Sequence, residues 1–387
     1  MKDVYIVDYL VQDSIGNDIA ANYANLPNTK GAREITRYNV ADYPHVRSTN
    51  GFQMDYLDGE QLSYKIVTSL TNEIAQKYPI DKDTAILYGS FAIGAGVRDG
   101  FNYAFEHQQT RFSPTKLFAN NHDLLSSLIA NKLKVEGINT STNGACSSSM
   151  FNLHFASMLI QTGQASSAIV GAVDTPLWPT MQYYWQCTSA ISTGDGGSCK
   201  PFDKRRDGFL QGEGGTLWLI CDEETLERHN LTPKAKLRGI ASGSKVTSMT
   251  AHDKTGEHQI KMINDALKMA KLELKDMAFF NAHATSTEVG DDIEVEAFQK
   301  AFGDLDIPIV SFKGYIGHTM SACGLIESAY GIEAVKSGFL HPNYNLHDPL
   351  STDSRIITQG KKINGNVFMK ASFGFGGRAS VAVIEAL

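Results

Sequence analysis

Two segments constrain the fold more than any other feature: TSTNGACSSSMFNLHFASMLIQTG (140–163) and VSFKGYIGHTMSACGLIESAYGIEAVKSG (310–338). Each reads as a strand end, a turn of small residues and a helix, the first helix running from Ser148 to Gln161. Both helices are apolar nearly all round, whereas a surface helix carries a single apolar stripe, so both belong in the interior. Around them lie apolar runs of strand type: VYIVDYLV (4–11), TAILYGSF (84–91), SAIVGAV (167–173), GTLWLIC (215–221), KLRGIASG (236–243), MAFFNAHA (277–284), IPIVSFK (307–313) and ASVAVIEA (379–386). Gln259 to Leu274 is an amphipathic helix, with Ile260, Ile263, Leu267, Ala270 and Leu274 spaced 3, 4, 3, 4. Strands alternating with helices predict an α/β protein with helix-covered sheets. The signals also repeat in order. This predicts two similar halves, 1–225 and 226–387, joined near Glu223 to Thr232.

Composition excludes several function classes. The chain has 387 residues, 42% hydrophobic and 20% charged, which is ordinary for a globular protein with a large core. It has no run of 18 apolar residues, so no membrane span is expected. A net charge of −7, without a Lys/Arg block, argues against nucleic-acid binding. The N-terminal MKDVYIVDYLVQD reads as a first strand, not a signal peptide. Five scattered cysteines without a CxxC pair fit a reducing, cytoplasmic setting better than a disulfide framework.

Cys146 stands at the turn where a strand feeds a helix. The helix dipole and nearby backbone N–H groups there favour a thiolate, and such turns present a nucleophile at the mouth of a sheet. Most free cysteines are buried small hydrophobes, and that reading is preferred for Cys187, Cys199, Cys221 and Cys323. His283, in NAHATSTEVGDDIE, and His318, in KGYIGHTMSACGLIE, each follow a strand and precede a loop, where α/β folds place their sites. Lys313 and Glu327 flank His318 in apolar surroundings and are expected to pair. No HxH or HExxH motif points to a metal. FGFGG (373–377) is not followed by a helix, so a phosphate loop is excluded and a gate or a backbone donor fits better.

The set GACSSS, PFDKRRDGFxxGEGG, NAHATSTxxGDxxE, KxxxGHTxSAxGxxE and FGFGG, in that order, resembles the β-ketoacyl synthases, in their elongating Cys-His-His branch. The resemblance implies a thiolase-like fold, with two halves in a five-layered αβαβα arrangement, and pairing of two chains, either as a homodimer or with a ketosynthase-like chain-length partner. It implies decarboxylative condensation of an acyl group on Cys146 with a malonyl carrier protein, giving a β-ketoacyl thioester two carbons longer. No cofactor is implied, because the carrier brings the phosphopantetheine arm. By the same resemblance His283 and His318 assist decarboxylation and hold the enolate oxygen. Lys313 is the active-site lysine paired with Glu327. Thr285 and Thr287 contact the pantetheine, and Phe375 is the gating aromatic whose N–H joins that of Cys146 in an oxyanion hole. Asp291 and Glu294, the acids of the NAHATSTxxGDxxE motif, are expected as structural support. Phe91 is expected near the floor of the acyl pocket.

Ala284, Asn281, Lys200, Arg378 and Ala379 depart from the family pattern, which suggests a divergent enzyme of secondary metabolism. Three other readings stand beside this one. A thiolase needs a second cysteine near the C-terminus, and the last 60 residues have none. A scaffold subunit typically lacks the nucleophile. A Cys-His hydrolase gives Lys313 and Glu327 no place. Lys204, Arg205 and Arg206 are candidates for a basic rim facing an acidic carrier, with structural salt bridges as the competing explanation.

Overall fold

The computed structural model describes residues 2–57, 61–92, 123–194, 198–246 and 253–387. Its main sheet has ten strands: β1 (Val4–Asp13), β2 (Ala85–Gly89), β3 (Asn139–Thr140), β4 (Ser167–Asp174), β5 (Gly214–Cys221), β6 (Ala235–Ser244), β7 (Phe280–Asn281), β8 (Ile309–Val310), β9 (Val367–Gly374) and β10 (Arg378–Ala386). They lie in the order β8-β7-β9-β10-β6-β1-β5-β4-β2-β3. Outward from the β1/β6 join, each half runs first, fifth, fourth, second, third strand. In each half the fifth strand is antiparallel to both its neighbours, and the remaining pairs are parallel. The repeat expected from the sequence is therefore a repeat of topology.

Alternation along the strands sorts the side chains into layers. Among the described residues the principal helices are α1 (Leu62–Lys77), α2 (Asp123–Leu133), α3 (Ser148–Gln161), α4 (Glu257–Ala270), α5 (Glu288–Phe302) and α6 (Cys323–Ser337). On one face of the sheet, Leu87, Ala168, Val170 and Trp218 of the first half and Phe279, Phe368, Ala382 and Ile384 of the second share a single cluster with α3 and α6. On the other face, Ile86, Tyr88, Ile169 and Val173 pack on Ile66 and Leu70 of α1 and Leu125 and Ile129 of α2. Phe280, Met369, Val381 and Val383 likewise pack on Ile263 and Leu267 of α4 and Phe298 and Phe302 of α5. Within the sheet the halves are joined by a short ladder, Val4 to Ile6 against Leu237 to Ala235. They close over α3 and α6, giving five layers.

Each central helix is entered the same way. A single 3-10 turn precedes it, Ala145–Ser147 before α3 and Met320–Ala322 before α6. Each turn opens on a non-glycine residue in the left-handed region, Ala145 at φ 52° and Met320 at φ 48°. Such residues are uncommon and persist where packing holds them.

Some expectations needed correction. Val367–Gly374 is a full strand that the apolar pattern did not pick out, because Lys370 and Ser372 interrupt it. The helix expected over 259–274 spans Glu257–Ala270; Lys271, at φ 55°, ends it with a left-handed cap. The join expected near 223–232 contains a short helix, Glu223–His229, capped by Asp222, whose side chain accepts from Thr225 N. Helix α3 is not covered all round in the single chain, since Phe155 and Met158 are exposed. Among the described residues no helix is long and apolar enough to cross a membrane.

Candidate active site

The turn before α3 places Cys146 between the halves. Its thiol is buried, and Sγ lies 3.1 Å from Nε2 of His318. The backbone of this turn is held from the second half, where Ser147 Oγ donates to Ser372 O (2.9 Å) and Ser372 Oγ to Cys146 O (3.1 Å). Gly374 packs against it so closely that a Cβ there would meet Gly144 O at 2.9 Å and Cys146 N at 3.2 Å. Only glycine lets the chain at 374–375 run beside the Cys146 N–H.

His318 is fixed through its backbone: its N–H donates to Leu210 O (2.8 Å) and its carbonyl accepts from Gly212 N (3.0 Å). Its ring stands edge-on to Phe209 and His283, with centroids 5.2 and 5.6 Å away. Burial, with Lys313 and Lys370 adding to it, pushes the imidazole pKa well below its usual value. Burial pushes the Cys146 thiol up, with Cys323 adding to it and Lys313 opposing. Both shifts favour the uncharged forms, a thiol and an imidazole, so desolvation opposes the bias of the helix end toward a thiolate.

His283 sits just past β7. Glu294 of α5 accepts from its backbone N–H (2.7 Å) and from that of Ala284 (2.6 Å), one carboxylate oxygen each. Asp291 accepts from Phe202 N (2.9 Å) and Ser286 N (3.1 Å), tying the 200–206 segment to the same loop. Burial raises these carboxyls, Glu294 to about 7 and Asp291 to about 6. Lys313 Nζ lies 3.4 Å from His283 Nδ1 and 2.6 Å from Glu327 Oε1. Burial works against this ammonium, but Glu327 outweighs it, and the lysine is held above its usual value.

Among the described residues, two cavities meet at Cys146. One is lined by His283, His318, Thr285, Thr287 and Phe373. The other is lined by Phe91, Tyr184, Trp185 and Met320. Cys146 and Phe375 line both. Thr285 and Thr287 share a hydrogen bond of 3.0 Å between their hydroxyls. Phe375 packs 5.4 Å from Trp185, on the helix Pro179–Cys187, and Phe91 packs 5.6 Å from the same indole. The eleven residues singled out in the sequence therefore fall in or around one site.

Of the basic-rim candidates, Arg206 is buried and bonds Asp292 (2.7 Å), whereas Arg205, bonded to Asp203 (2.8 Å), and Lys204, bonded to Asp348 (2.9 Å), are exposed. All three make ion pairs within this chain.

Sequence reasoning missed two residues. Lys370, on β9, is fully buried on the second oxygen of Glu327 (2.6 Å). Asp174, ending β4, accepts from Phe91 N (2.9 Å), Ala92 N (2.6 Å), Ser90 Oγ (2.7 Å), Ser321 N (2.8 Å) and Ser321 Oγ. It thereby pins the Phe91 loop to the turn after His318. The signal in both cases was a lone charge within an apolar strand.

The arrangement has counterparts among known proteins. Residues 78–225 match the family described as β-ketoacyl synthase, N-terminal domain, and residues 234–347 match its C-terminal domain. The chain belongs to the β-ketoacyl synthase family. A relative, 3-oxoacyl-[acyl-carrier-protein] synthase 2 of Staphylococcus aureus (strain COL), is 26% identical over 99% of this chain and 98% of its own. Among solved structures, a type II polyketide ketosynthase in complex with its acyl-carrier protein, bound to the hexaketide, has a TM-score of 0.89 at 22% identity, covering 100% of this chain and 99% of that one. The ishigamide ketosynthase/chain length factor has a TM-score of 0.86 at 19% identity, covering 100% and 99%. These structures share the thiolase-like fold. As a ketosynthase, the chain is an acyltransferase that forms carbon–carbon bonds by Claisen condensation in fatty-acid or polyketide synthesis.

Proposed function

We propose that Cys146 takes an acyl group from an acyl carrier protein and that the enzyme condenses it with malonyl carrier protein. The observation that carries this reading is the place of Cys146, 3.1 Å from the His318 imidazole and at the meeting point of two cavities. The aromatic cavity past Phe91 and Trp185 suits the acyl chain. The cavity with Thr285 and Thr287 suits the pantetheine arm and then the malonyl group. Phe375 stands between them as the gate.

In the first half-reaction His318 Nε2 takes the thiol proton as Sγ attacks the thioester carbonyl. The Cys146 N–H and the 374–375 backbone face the oxygen on which negative charge develops. The carrier thiolate leaves and takes the proton from His318. In the second, malonyl carrier protein loses CO₂, and N–H donors on His283 and His318 hold the enolate oxygen. The carbanion attacks the acyl-Cys146 carbonyl, and Cys146 leaves as a thiolate. One proton from the medium restores the thiol. His318 Nδ1 has no hydrogen-bond partner among the described residues, so no fixed partner there locks the ring in one tautomer. That freedom suits a ring that accepts at Nε2 in one half-reaction and donates there in the other. Every step uses protein groups and the carrier's own arm, and no further cofactor is proposed.

The partners follow the relatives: an acyl carrier protein and a second ketosynthase-like chain. Exposed Ile138, Phe155 and Met158, with the exposed edge strand β3, favour the second chain. A reducing, cytoplasmic setting fits the five free cysteines. The test mixes the purified chain with acyl carrier proteins and malonyl carrier protein, following CO₂ and intact mass. Acylation lost in Cys146→Ala, with a product two carbons longer, supports the reading. Acylation without condensation points to a missing partner chain, and neither signal with any carrier overturns it.

A further inference from the structure

We propose that Lys370 is a positioning residue for His283, and that it acts with Lys313, Glu327 and Glu294 as one charge-balanced unit bracing the strand end that carries this histidine. The inference rests on the proposed role of His283.

The geometry is specific. Lys370 Nζ donates to Glu327 Oε2 (2.6 Å), Ala282 O (2.9 Å) and Asn281 Oδ1 (3.2 Å). An ammonium has three donors, and here each has an acceptor. Two of these acceptors belong to the two residues immediately before His283. Glu294 meanwhile holds the backbone N–H groups of His283 and Ala284. Residues 281–284 are thus gripped from one side by an ammonium and from the other by a carboxylate. Asn281 Nδ2 closes the ring by donating to Glu327 O (2.7 Å).

Charge gives the same result. Lys313, Lys370 and Glu327 are all fully buried, and Glu327 gives one oxygen to each lysine. A single carboxylate cannot neutralise two ammoniums. Glu294, also buried, supplies a second negative charge when ionised, and above its pKa of about 7 the four groups balance. The balance is delicate. Glu294 is raised by burial and by Asp291 on its own helix, and lowered by its two backbone N–H bonds and by Lys370. Lys370 is lowered by burial, with Lys313 adding to this and Glu327 and Cys323 opposing it. Without Lys370, Glu294 protonates at higher pH. A protonated carboxyl is a poorer acceptor for the two backbone N–H groups, so the grip on His283 loosens.

The test compares the full-length enzyme with Lys370→Met and Lys370→Gln. Two half-reactions are measured separately: decarboxylation of malonyl carrier protein against pH, and single-turnover acylation of Cys146. For Lys370→Met, kcat for decarboxylation should fall about 10- to 100-fold, as for a small misplacement of a reacting group, while KM and the acylation rate stay within about threefold. The acid limb of decarboxylation should move to higher pH. Lys370→Gln, which keeps polar contact in the same volume, should show the same shift with a smaller loss, and it decides the matter if Lys370→Met does not fold. Equal losses in both half-reactions, or an unmoved acid limb, overturn the inference. His283→Ala tests the underlying reading separately, since a variant that decarboxylates like the wild type removes the role Lys370 is proposed to support.

Discussion

Cys146 Sγ and His318 Nε2 stand 3.1 Å apart, and burial shifts both groups toward their uncharged forms. Nucleophilicity therefore depends on the imidazole taking the proton during attack. His318→Ala should slow Cys146 acylation by about 10²- to 10⁴-fold, the usual contribution of a positioned base. Quenched-time intact mass reads the acyl-enzyme directly. Acylation at the wild-type rate would return the thiol to the status of a pre-formed thiolate.

The same pair sets a pH dependence. The folded-state pKa of His318 is depressed, so its neutral form survives well below the usual imidazole range. Single-turnover acylation should lose no activity to His318 protonation between pH 7.5 and pH 6, the region where an unperturbed imidazole with a pKa of about 6.5 becomes protonated. A tenfold drop across that interval, in enzyme that remains folded, would contradict a buried neutral base.

Glu327 joins two fully buried ammoniums. Glu327→Ala leaves both without their shared carboxylate and should destabilise the chain by about 3–5 kcal/mol, the range for breaking a buried ion pair. Chemical denaturation at neutral pH measures this. A loss under about 1 kcal/mol would mean that water or a shifted side chain replaces the carboxylate.

Gly374→Ala introduces a Cβ 2.9 Å from Gly144 O and 3.2 Å from Cys146 N. The turn must move, taking the oxyanion-facing N–H with it. Acylation should fall about 10²-fold, by the measure of a lost oxyanion donor, and the melting temperature should fall as well, because the atoms the new Cβ meets belong to the backbone. Unchanged acylation would show that the turn yields at no cost.

Phe91 lines the acyl-side cavity with Trp185. Phe91→Ala should broaden the range of accepted acyl chains toward longer or bulkier members. An unchanged product profile across a carrier panel would remove Phe91 as a determinant.

Much of this site was legible in the sequence because its chemistry sits at strand ends and helix starts, which local patterns mark. Cys146, His283 and His318 each lie at such a junction, and the Lys313–Glu327 pair follows from the cost of burying either charge alone. Lys370 and Asp174 were not legible for the opposite reason. Each is a lone charge inside or ending an apolar strand, and its partners come from distant parts of the chain: Glu327 for one, the 90–92 loop and Ser321 for the other. Local periodicity cannot express contacts separated by 43 or 147 residues. The same polar interruptions hid β9, whose buried Lys370 and Ser372 break the apolar run that strand recognition relies on.

The matched turns before α3 and α6 have one more consequence. By position, Ala145 corresponds to Met320 and Cys146 to Ser321. The last residues of β4 and β9, Asp174 and Gly374, stand in the same relation. Beside Cys146 the strand ends in a residue with no side chain, and a substrate carbonyl has room. Beside Ser321 it ends in a carboxylate that accepts both the serine hydroxyl and its backbone N–H. A duplicated architecture thus carries two matched turns, and an internal carboxylate fills the place beside the second. In this chain the strand that ends in glycine is the one beside the cysteine, and the strand that ends in a carboxylate is the one beside the serine.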